Sequence, residues 1–491
     1  MTAMPSSEPQ PAHGLLGDRD LRRLLLPLLL VLAGAVVGSF QGAAGAVLVL
    51  IGFAWIAARS LRWALPLYII FSPFTAGLLV HHHHIALSDA MAIIMALVLL
   101  GKYRGEGISG WWERFFPRAF RGPVVLLLAI AVISLVHAES HSVAVIKILE
   151  LVEFFVVVVA VAAELGTEAK AWWPTLLGLF GLTTYLALDG LEQFLLGIGP
   201  HSFEVFVGHV RAFGPFGQPN VFGSFMAQTL PLAIALYLFG PRGRYKPWLL
   251  VVIILDAFSV WSSISRGAWV SDIAAIGLMG IFVGVTRGQK ALAPYAAYGV
   301  LLPMVLFGAV DLLGHVDLSH TFLADQLRGR TAVQRLLSIT STTEYDTQQR
   351  FLIWGAALRA IRAHWPTGVG MGEFTLWIRH HMPAGLIGVP PHAHDMYLEL
   401  GADTGVVGIV AIIWLQYRWI VASVRAVLGR VGQLDAFPYA MALGSLGVFT
   451  AFIIQNWVDY MVDHGVIVPL LLAMGFIAAL TAAHARPAPH E

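Results

Sequence analysis

Apolar runs constrain this chain more than anything else in it. They lie near 24–40, 43–57, 63–80, 85–100, 123–137, 143–163, 172–188, 221–239, 248–264, 268–285, 291–310, 398–417, 438–454 and 465–482. A helix that crosses a bilayer needs ~20 predominantly apolar residues. The pattern therefore predicts an all-α polytopic membrane protein with 12–14 transmembrane helices; the shorter runs set the lower bound, and the first pair can also be read as a re-entrant hairpin around Gln41-Gly42. Composition agrees: of 491 residues, 58% are hydrophobic and 12% charged, against ~45–50% and ~25% in soluble domains. A soluble enzyme and a disordered chain are both excluded. The net charge of +1 creates no field that would recruit nucleic acid. The chain has no cysteine, which removes disulfides, thiolate metal sites and cysteine nucleophiles. The polar start, Met1 to Asp20, leads through Arg22-Arg23 into the first run without a small-residue cleavage site. A retained first span is expected rather than a signal peptide.

Lysines and arginines in short loops set orientation. Arg19, Arg22 and Arg23 precede the first run, Arg59 and Arg62 follow the second, and Lys102, Arg104, Arg114, Arg118 and Arg121 follow the fourth. Arg242, Arg244 and Lys246 follow the eighth, Arg287 and Lys290 the tenth, and Arg418, Arg425 and Arg430 the twelfth. All fall on one side if every run spans, so that side is expected to be cytoplasmic. The expected layout is a cytoplasmic segment 1–23, a helix bundle 24–310, a large outer loop 311–397, C-terminal spans 398–482 and a tail 483–491.

The large loop holds Arg328, Arg330, Arg335, Arg350, Arg359, Arg362 and Arg379, matched by as many acids. Long loops escape the positive-inside rule, so these arginines do not contradict the topology. Within the loop, Phe351, Trp354, Leu358 and Ile361 recur at helical spacing, with Arg350, Arg359 and Arg362 off the centre of that face. The spacing predicts an amphipathic helix over 347–364 lying at the membrane surface. Pro366 to Gly372 ends it, and a second short helix is expected over 373–382.

Three outer segments carry candidate chemistry. Arg211-Ala-Phe-Gly-Pro-Phe-Gly-Gln-Pro-Asn220 places two prolines and two glycines at the mouth of a span. Such a non-helical turn is tolerated at membrane depth when it lines a cavity. The other reading is an ordinary interfacial turn with a snorkelling arginine. Ser265-Arg266-Gly267-Ala268-Trp269 sets a second arginine between two runs. That residue is either a loop charge or, with Arg211, half of an anion site, because the guanidinium fork suits phosphate oxygens. The third segment runs from Pro390 through His392, His394 and Asp395 to Gly405 and Gly408. Two histidines two apart suit a metal pair, but zinc sites use at least three protein ligands and the sequence offers no third at clear spacing. No metal is therefore expected. A histidine at the mouth of a span reads better as a general base, since neutral imidazole is available near pH 7, or as a structural cap on the next helix.

Elsewhere, Lys147, Glu150 and Glu153 share one helical face, which predicts an intramembrane ion pair or, alternatively, a proton relay. Asp256, Asp459 and Asp463 carry the same two readings. His81 to His84 reads as a solvated turn. Gly45 and Gly52 read as sites of close helix packing.

Taken in order, these segments resemble the O-antigen ligase and O-antigen polymerase superfamily of polytopic glycosyltransferases. The family's Arg-x-x-Gly-x-Phe-x-x-Pro-Asn segment matches Arg211 to Asn220. Its Ser-Arg-Gly-x-Trp turn matches Ser265 to Trp269. Its histidine, polar residue and distal Gly-x-x-Gly match His394, Asp395 and Gly405 to Gly408, although the polar position is usually Asn, Ser or Gln. Arg350-x-x-x-Trp354 and Gly368-Val-Gly-Met-Gly372 also fit, so the resemblance covers roughly 200–480. It implies a GT-C-like bundle in the bacterial inner membrane with its site on the periplasmic face. The donor it implies is a glycan on undecaprenyl pyrophosphate, and the acceptor a hydroxyl of lipid A–core oligosaccharide or another glycan. Arg211 and Arg266 would steady the pyrophosphate, and His394 would act as base in an inverting transfer without cofactor or metal. Arg350, Asn220, Gln218, His392 and Asp395 would bind substrate, with Asp395 placed to orient the histidine. A polysaccharide polymerase and a protein O-oligosaccharyltransferase are the nearest alternatives. A lipid-linked glycan transporter is a different class, but transporters show paired repeats and broken midplane helices, and neither is evident.

Overall fold

The computed structural model describes residues 18–39, 41–74, 77–80, 83–107, 110, 116–206, 209–293, 295, 345–429, 435–462 and 465–485. Most of the expected run 291–310, the outer loop from 311 to 344, His81, His82 and Asp463 lie outside these residues.

The protein is an all-α polytopic membrane protein. Its helices are α1 (Asp18–Gly38), α2 (Gly42–Arg59), α3 (Leu61–Phe71), α4 (Leu87–Tyr103), α5 (Arg118–Ile133), α6 (His141–Leu165), α7 (Ala169–Leu196), α8 (Pro219–Phe239), α9 (Lys246–Ser262), α10 (Arg266–Arg287), α11 (Tyr345–Ala363), α12 (Phe374–His380), α13 (Met396–Leu428), α14 (Ala436–Gln455) and α15 (Val468–Ala485). Among the described residues, 7 helices are long and apolar enough to cross a membrane by length and composition. Three shorter apolar helices, Leu24–Gly38, Leu61–Phe71 and Val468–Ala483, accompany them. The 25-residue α6 carries Lys147, Glu150 and Glu153, and α4 and α9, at 17 residues each, fill the other expected runs among the described residues. Two short antiparallel ribbons interrupt the helical pattern: β1 (Gly77–Val80) with β2 (His83–Ala86), and β3 (Glu204–Phe206) with β4 (His209–Val210). The first sets Val80 opposite His83.

Packing explains the glycines. A Cβ on Gly45 would fall on the backbone of Gly38, and one on Gly52 would lie 2.7 Å from the carbonyl of Pro27. The α1–α2 hairpin therefore depends on both residues. The centre of the bundle is α8 against α14, the two spans with the largest buried share. Phe120 stacks on Trp419 with ring centroids 3.8 Å apart, and the edge of Trp172 meets Phe476.

The two ends of the bundle differ. At one, Lys102 Nζ lies 2.5 Å from Glu164 Oε1 and Arg62 donates to the carbonyl of Lys170. Residues from loops expected on the cytoplasmic side thus meet there. The loops that carry the candidate motifs meet at the other end.

In α11 the apolar face read from the sequence is split: Ile361 is buried, but Phe351 and Leu358 are 48% and 44% exposed. The face that packs is Ile353, Ala356, Ala357, Ala360 and Ile361, against Val369, Phe374, Ile378 and Ala402. Three alanines let α11 approach α12 and α13 closely. A periodicity read from large side chains does not register them.

Candidate functional site

Arg211 follows β4 and enters a tight turn. Gln193 of α7 holds that turn: its Oε1 accepts the N–H groups of Phe213 at 3.0 Å and Gly214 at 2.8 Å. Gly214 has φ +53, and the ring of Phe222 occupies the space a Cβ would need. The guanidinium is thereby fixed. Its Nε donates to Ser263 O at 2.8 Å, and its Nη2 donates to Asn220 Oδ1 at 2.8 Å. Asn220 then donates from Nδ2 to Asp459 Oδ2 at 2.9 Å.

Asp459 is where the segments converge. His394 Nδ1 lies 3.0 Å from Asp459 Oδ1. Arg350 Nη2 lies 3.9 Å from Asp459 Oδ2, and Arg350 Nη1 donates to the carbonyl of Val458. The Tyr460 N–H also reaches Oδ1, at 3.0 Å. Burial pushes the Asp459 carboxyl up, but the His394 hydrogen bond and the charges of Arg350, His394 and His392 outweigh it and hold it at about 2. The carboxylate is therefore ionised and accepts only. An acceptor opposite Nδ1 places the imidazole proton on Nδ1 and leaves the Nε2 lone pair free to take a proton.

The backbone around this point is strained. His394 at φ +53 and Ile264 at φ +50 are the positive-φ residues other than glycine among the described residues. Each such residue costs about 1–3 kcal/mol. One bears the histidine. The other lies beside Ser263, which receives Arg211, and precedes Ser265, whose Oγ accepts the N–H of Ala268 to start α10. Arg266 is the first residue of α10. At Gly267, next in the chain, a Cβ would meet Gln455 and Val458, so Arg266 starts its helix against the turn that carries Asp459.

The spacing between His394 and Gly405 now has a cause. Gly405, at φ +72, breaks α13, and Pro366 carbonyl atoms fill the space its Cβ would need. The first part of α13 folds back as an arm, with Tyr397 Oη donating to Gln416 Oε1 at 3.0 Å. His394 sits just before the tip of this arm. Two acids fasten its flanks. Asp403 accepts the N–H groups of Gly372 at 2.8 Å and Phe374 at 3.0 Å. Glu399 accepts that of Ala393 at 2.5 Å. Glu373 in turn accepts the N–H groups of Glu139 and Ser140.

Asp395 has a different place from the one its sequence position suggested. Its Oδ1 accepts the N–H groups of Tyr397 at 2.8 Å and Leu398 at 2.9 Å, so it caps α13; the carboxylate that orients His394 is Asp459. Burial raises the Asp395 carboxyl, and those two amides draw it partly back. Asn, Ser and Asp are all strong N-caps, which explains how Asp stands where the resembled family favours Asn or Ser.

His392 accepts the N–H of His394 at its Nδ1, 3.2 Å away, and its ring centroid lies 4.3 Å from that of His394. Gln218 is exposed and makes no side-chain cap on α8. Lys147 Nζ pairs with Glu150 at 2.7 Å, the ion pair read from spacing, while Glu153 accepts from Tyr68 Oη at 3.2 Å. The sequence reading offered the histidines no third metal ligand. The fold supplies a candidate, because donor atoms of His392, His394 and Asp459 lie within 4.8 Å of one another. Asp459 had drawn the same two readings as Asp256 and Asp463; only the fold separates it from Asp256.

Comparison with known proteins bears on this arrangement. Residues 249–413 match the family model described as O-antigen ligase. That stretch, about a third of the chain, is similar to the O-antigen ligase domain. The match spans Arg266, Arg350, His392 and His394; Arg211 and Asp459 lie outside it on either side. No curated protein matches the chain. Members of the matched family are glycosyltransferase-like ligases and polymerases that act on lipid-linked glycans.

Proposed function

We propose that this protein transfers a glycan from undecaprenyl pyrophosphate to a sugar hydroxyl of lipid A–core oligosaccharide, on the periplasmic face of the inner membrane. The observation that carries this reading is the hydrogen-bonded line Arg211–Asn220–Asp459–His394. It joins a cation to a histidine through one buried carboxylate. Transfer needs that pair of groups: one takes a proton from the nucleophile, the other receives charge on the leaving group.

In the proposed step the acceptor hydroxyl oxygen attacks the anomeric carbon while its proton passes to His394 Nε2. The bond from that carbon to the pyrophosphate oxygen breaks, and its electron pair stays on the phosphate. Arg211, with Arg266, stabilises that developing charge; preorganised electrostatics of this kind is often the largest catalytic contribution. Single displacement inverts the anomeric centre. Asp459 acts through His394 by holding its tautomer. Arg350 braces the Asp459 turn and faces the substrates, while Asn220, His392 and Gln218 border the acceptor side.

The test uses purified full-length protein with a lipid-linked glycan donor and a lipid A–core acceptor. His394→Ala is expected to lower transfer by ~10²–10⁴-fold, the range for losing a general base, with donor binding retained through the arginines. An active His394→Ala enzyme would overturn the assignment. Ligase and polymerase separate in a strain lacking the gene. Core without polymer, with lipid-linked polymer accumulating, means ligase; loss of long chains means polymerase.

The cluster of His392, His394 and Asp459 supports a second reading, in which a divalent cation replaces the base and steadies the pyrophosphate. It requires that a chelator abolish transfer and that His392→Ala be as damaging as His394→Ala. The base reading requires neither.

A further inference from the structure

The face of α11 turned away from the core has chemistry of its own. Phe351 and Leu358 lie seven residues apart on it, exposed, with Arg359 and Arg362 exposed beside them and Trp365 68% exposed just past the helix end. None of Arg359, Arg362 and the exposed Arg379 of α12 makes an ion pair with a carboxylate among the described residues. From Phe351 to Gly372 the chain holds no acid at all. The helix also has a definite height in the bundle. Its Ile361 and the Ile409 of α13 converge on Gly401, each within 3.0 Å of where a Cβ there would stand. Val406 and Val410, on either side of Ile409, are exposed apolar residues on a helix long and apolar enough to cross the membrane. The C-terminal half of α11 is therefore level with the first turn of the lipid-facing surface of α13. In a bilayer crossed by α13, headgroup phosphates would lie at the end of that apolar surface.

We infer that the outward face of α11 docks on the phosphate layer of the bilayer that holds the protein. Arg359 and Arg362 take phosphodiester oxygens of anionic phospholipids, and Phe351, Leu358 and Trp365 enter the boundary between headgroups and acyl chains. Charge complementarity selects this occupant: apolar side chains alone would accept any lipid, whereas two guanidinium forks without acidic partners among the described residues favour anionic headgroups. Because Arg350 lies on the same helix, α11 becomes a strut from the lipid surface to Asp459. The inference does not depend on the glycosyl-transfer reading.

The test is photolabelling of full-length protein in nanodiscs. Each nanodisc contains a trace of phosphatidylglycerol or phosphatidylcholine bearing a headgroup diazirine, and labelled peptides are mapped. The anionic probe is expected to label residues 351–365 at least about fivefold more than the zwitterionic one, the scale of one arginine at an anionic surface. Arg359→Gln with Arg362→Gln should bring the two probes level, and the Lys pair should retain most of the difference. Leu358→Ser should weaken labelling by both probes. Equal labelling of the unaltered protein, or no labelling of this segment by either probe, would overturn the inference. So would complete displacement of the anionic probe by stoichiometric lipid A–core, because the arginines would then belong to an acceptor site rather than to bulk lipid.

Discussion

The middle of the bundle and the end that carries the site are held together by different forces. Around α8 and α14 the fixed residues are aromatic and aliphatic, and small residues such as Gly444 and Gly447 let the helices close on Leu232 and Met279. Each contact there is one of many, so deleting a few methyl groups loosens the core without moving any single chain segment far. At the site end a few polar side chains hold whole loops by their backbone amides: Gln193, Glu373, Asp395, Glu399, Asp403 and Asp459 each accept at least one. Removing one acceptor leaves buried N–H groups without a partner, at about 1–3 kcal/mol each, and frees a loop that bears the chemistry. The site end is therefore both more specific and more fragile.

The largest effect is expected where one side chain serves both purposes. Asp459→Asn keeps the shape but loses the charge that faces His394, Asn220 and Arg350. An amide can turn its NH₂ toward Nδ1, which puts the imidazole proton on Nε2 and removes the base. A carboxylate-to-amide change behind a catalytic histidine in a serine protease lowers turnover by about 10⁴ through the wrong tautomer. A loss of ~10³–10⁴ in turnover, with donor affinity within a few fold, is expected here from single-turnover assays and donor-binding titrations. Loss of donor binding equal to the loss of rate would instead make Asp459 a structural anchor alone. The pH dependence has a definite sign. The folded carboxyl lies at about 2, below the ~3.9 of an unfolded aspartate. Its contribution to stability is full above ~4 and fades as pH falls toward 2. Thermal unfolding in detergent should separate wild type from Asp459→Asn at pH 6 and bring them together in strong acid.

A smaller effect belongs to the hinge of the arm. Gly405→Ala meets both a positive φ and the Pro366 carbonyl, neither of which can move without pulling α11 off α13. A destabilisation of at least about 3 kcal/mol is expected from positive φ and overpacking together, seen as loss of folded protein on size-exclusion chromatography. At Gly408 the obstruction is the Thr404 hydroxyl, so Gly408→Ala with Thr404→Ala should fold. If Gly405→Ala were tolerated and Gly408→Ala were not, the fold-back at Gly405 would not be what sets the position of His394.

The middle was far more legible in sequence than the end. A span is a local signal, a run of apolar residues with basic residues at one flank, and most of the described helices follow the runs, including α6 with its Lys147–Glu150 pair; the run 63–80 does not, since α3 ends at Phe71 and Gly77–Val80 forms β1. Arg211, Arg266 and His394 stood out in the sequence because each sits in a short segment whose residue types suggest a chemistry. Asp459 was not: it lies 65 residues from His394 and 239 from Asn220, and nothing around it in the chain differs from any other acid near a span. Gly405 and Gly408 were visible as a spacing, but the reason for it depends on Pro366, which reaches the hinge only through the packing of α11. The alanine face of α11 drew no reading from the sequence, because close approach, rather than large apolar area, is what its packing uses.

The smallest expected effect separates capping from catalysis within a single dipeptide. Asp395 adjoins His394 in the chain, and proximity alone would give it a role at the ring. Its carboxylate, however, faces the amides of Tyr397 and Leu398, and asparagine accepts from those amides nearly as well. Asp395→Asn should therefore keep transfer within about twofold, whereas Asp395→Ala should lose ~1 kcal/mol of stability through the missing cap and only secondarily slow the reaction. The pH term runs opposite to that of Asp459. Burial raises the folded carboxyl of Asp395 above its ordinary value, so ionising it opposes folding and the cost grows as pH rises through and past the usual carboxylate range. Asp395→Asn carries no such cost, and relative to wild type it should be at its most stable near neutral pH and lose that advantage as pH falls below ~4. Melting curves of the two proteins between pH 4 and 8, set beside their transfer rates, decide the matter. A rate that collapses in Asp395→Asn while the melting temperature holds would move this carboxylate from the helix end to the imidazole.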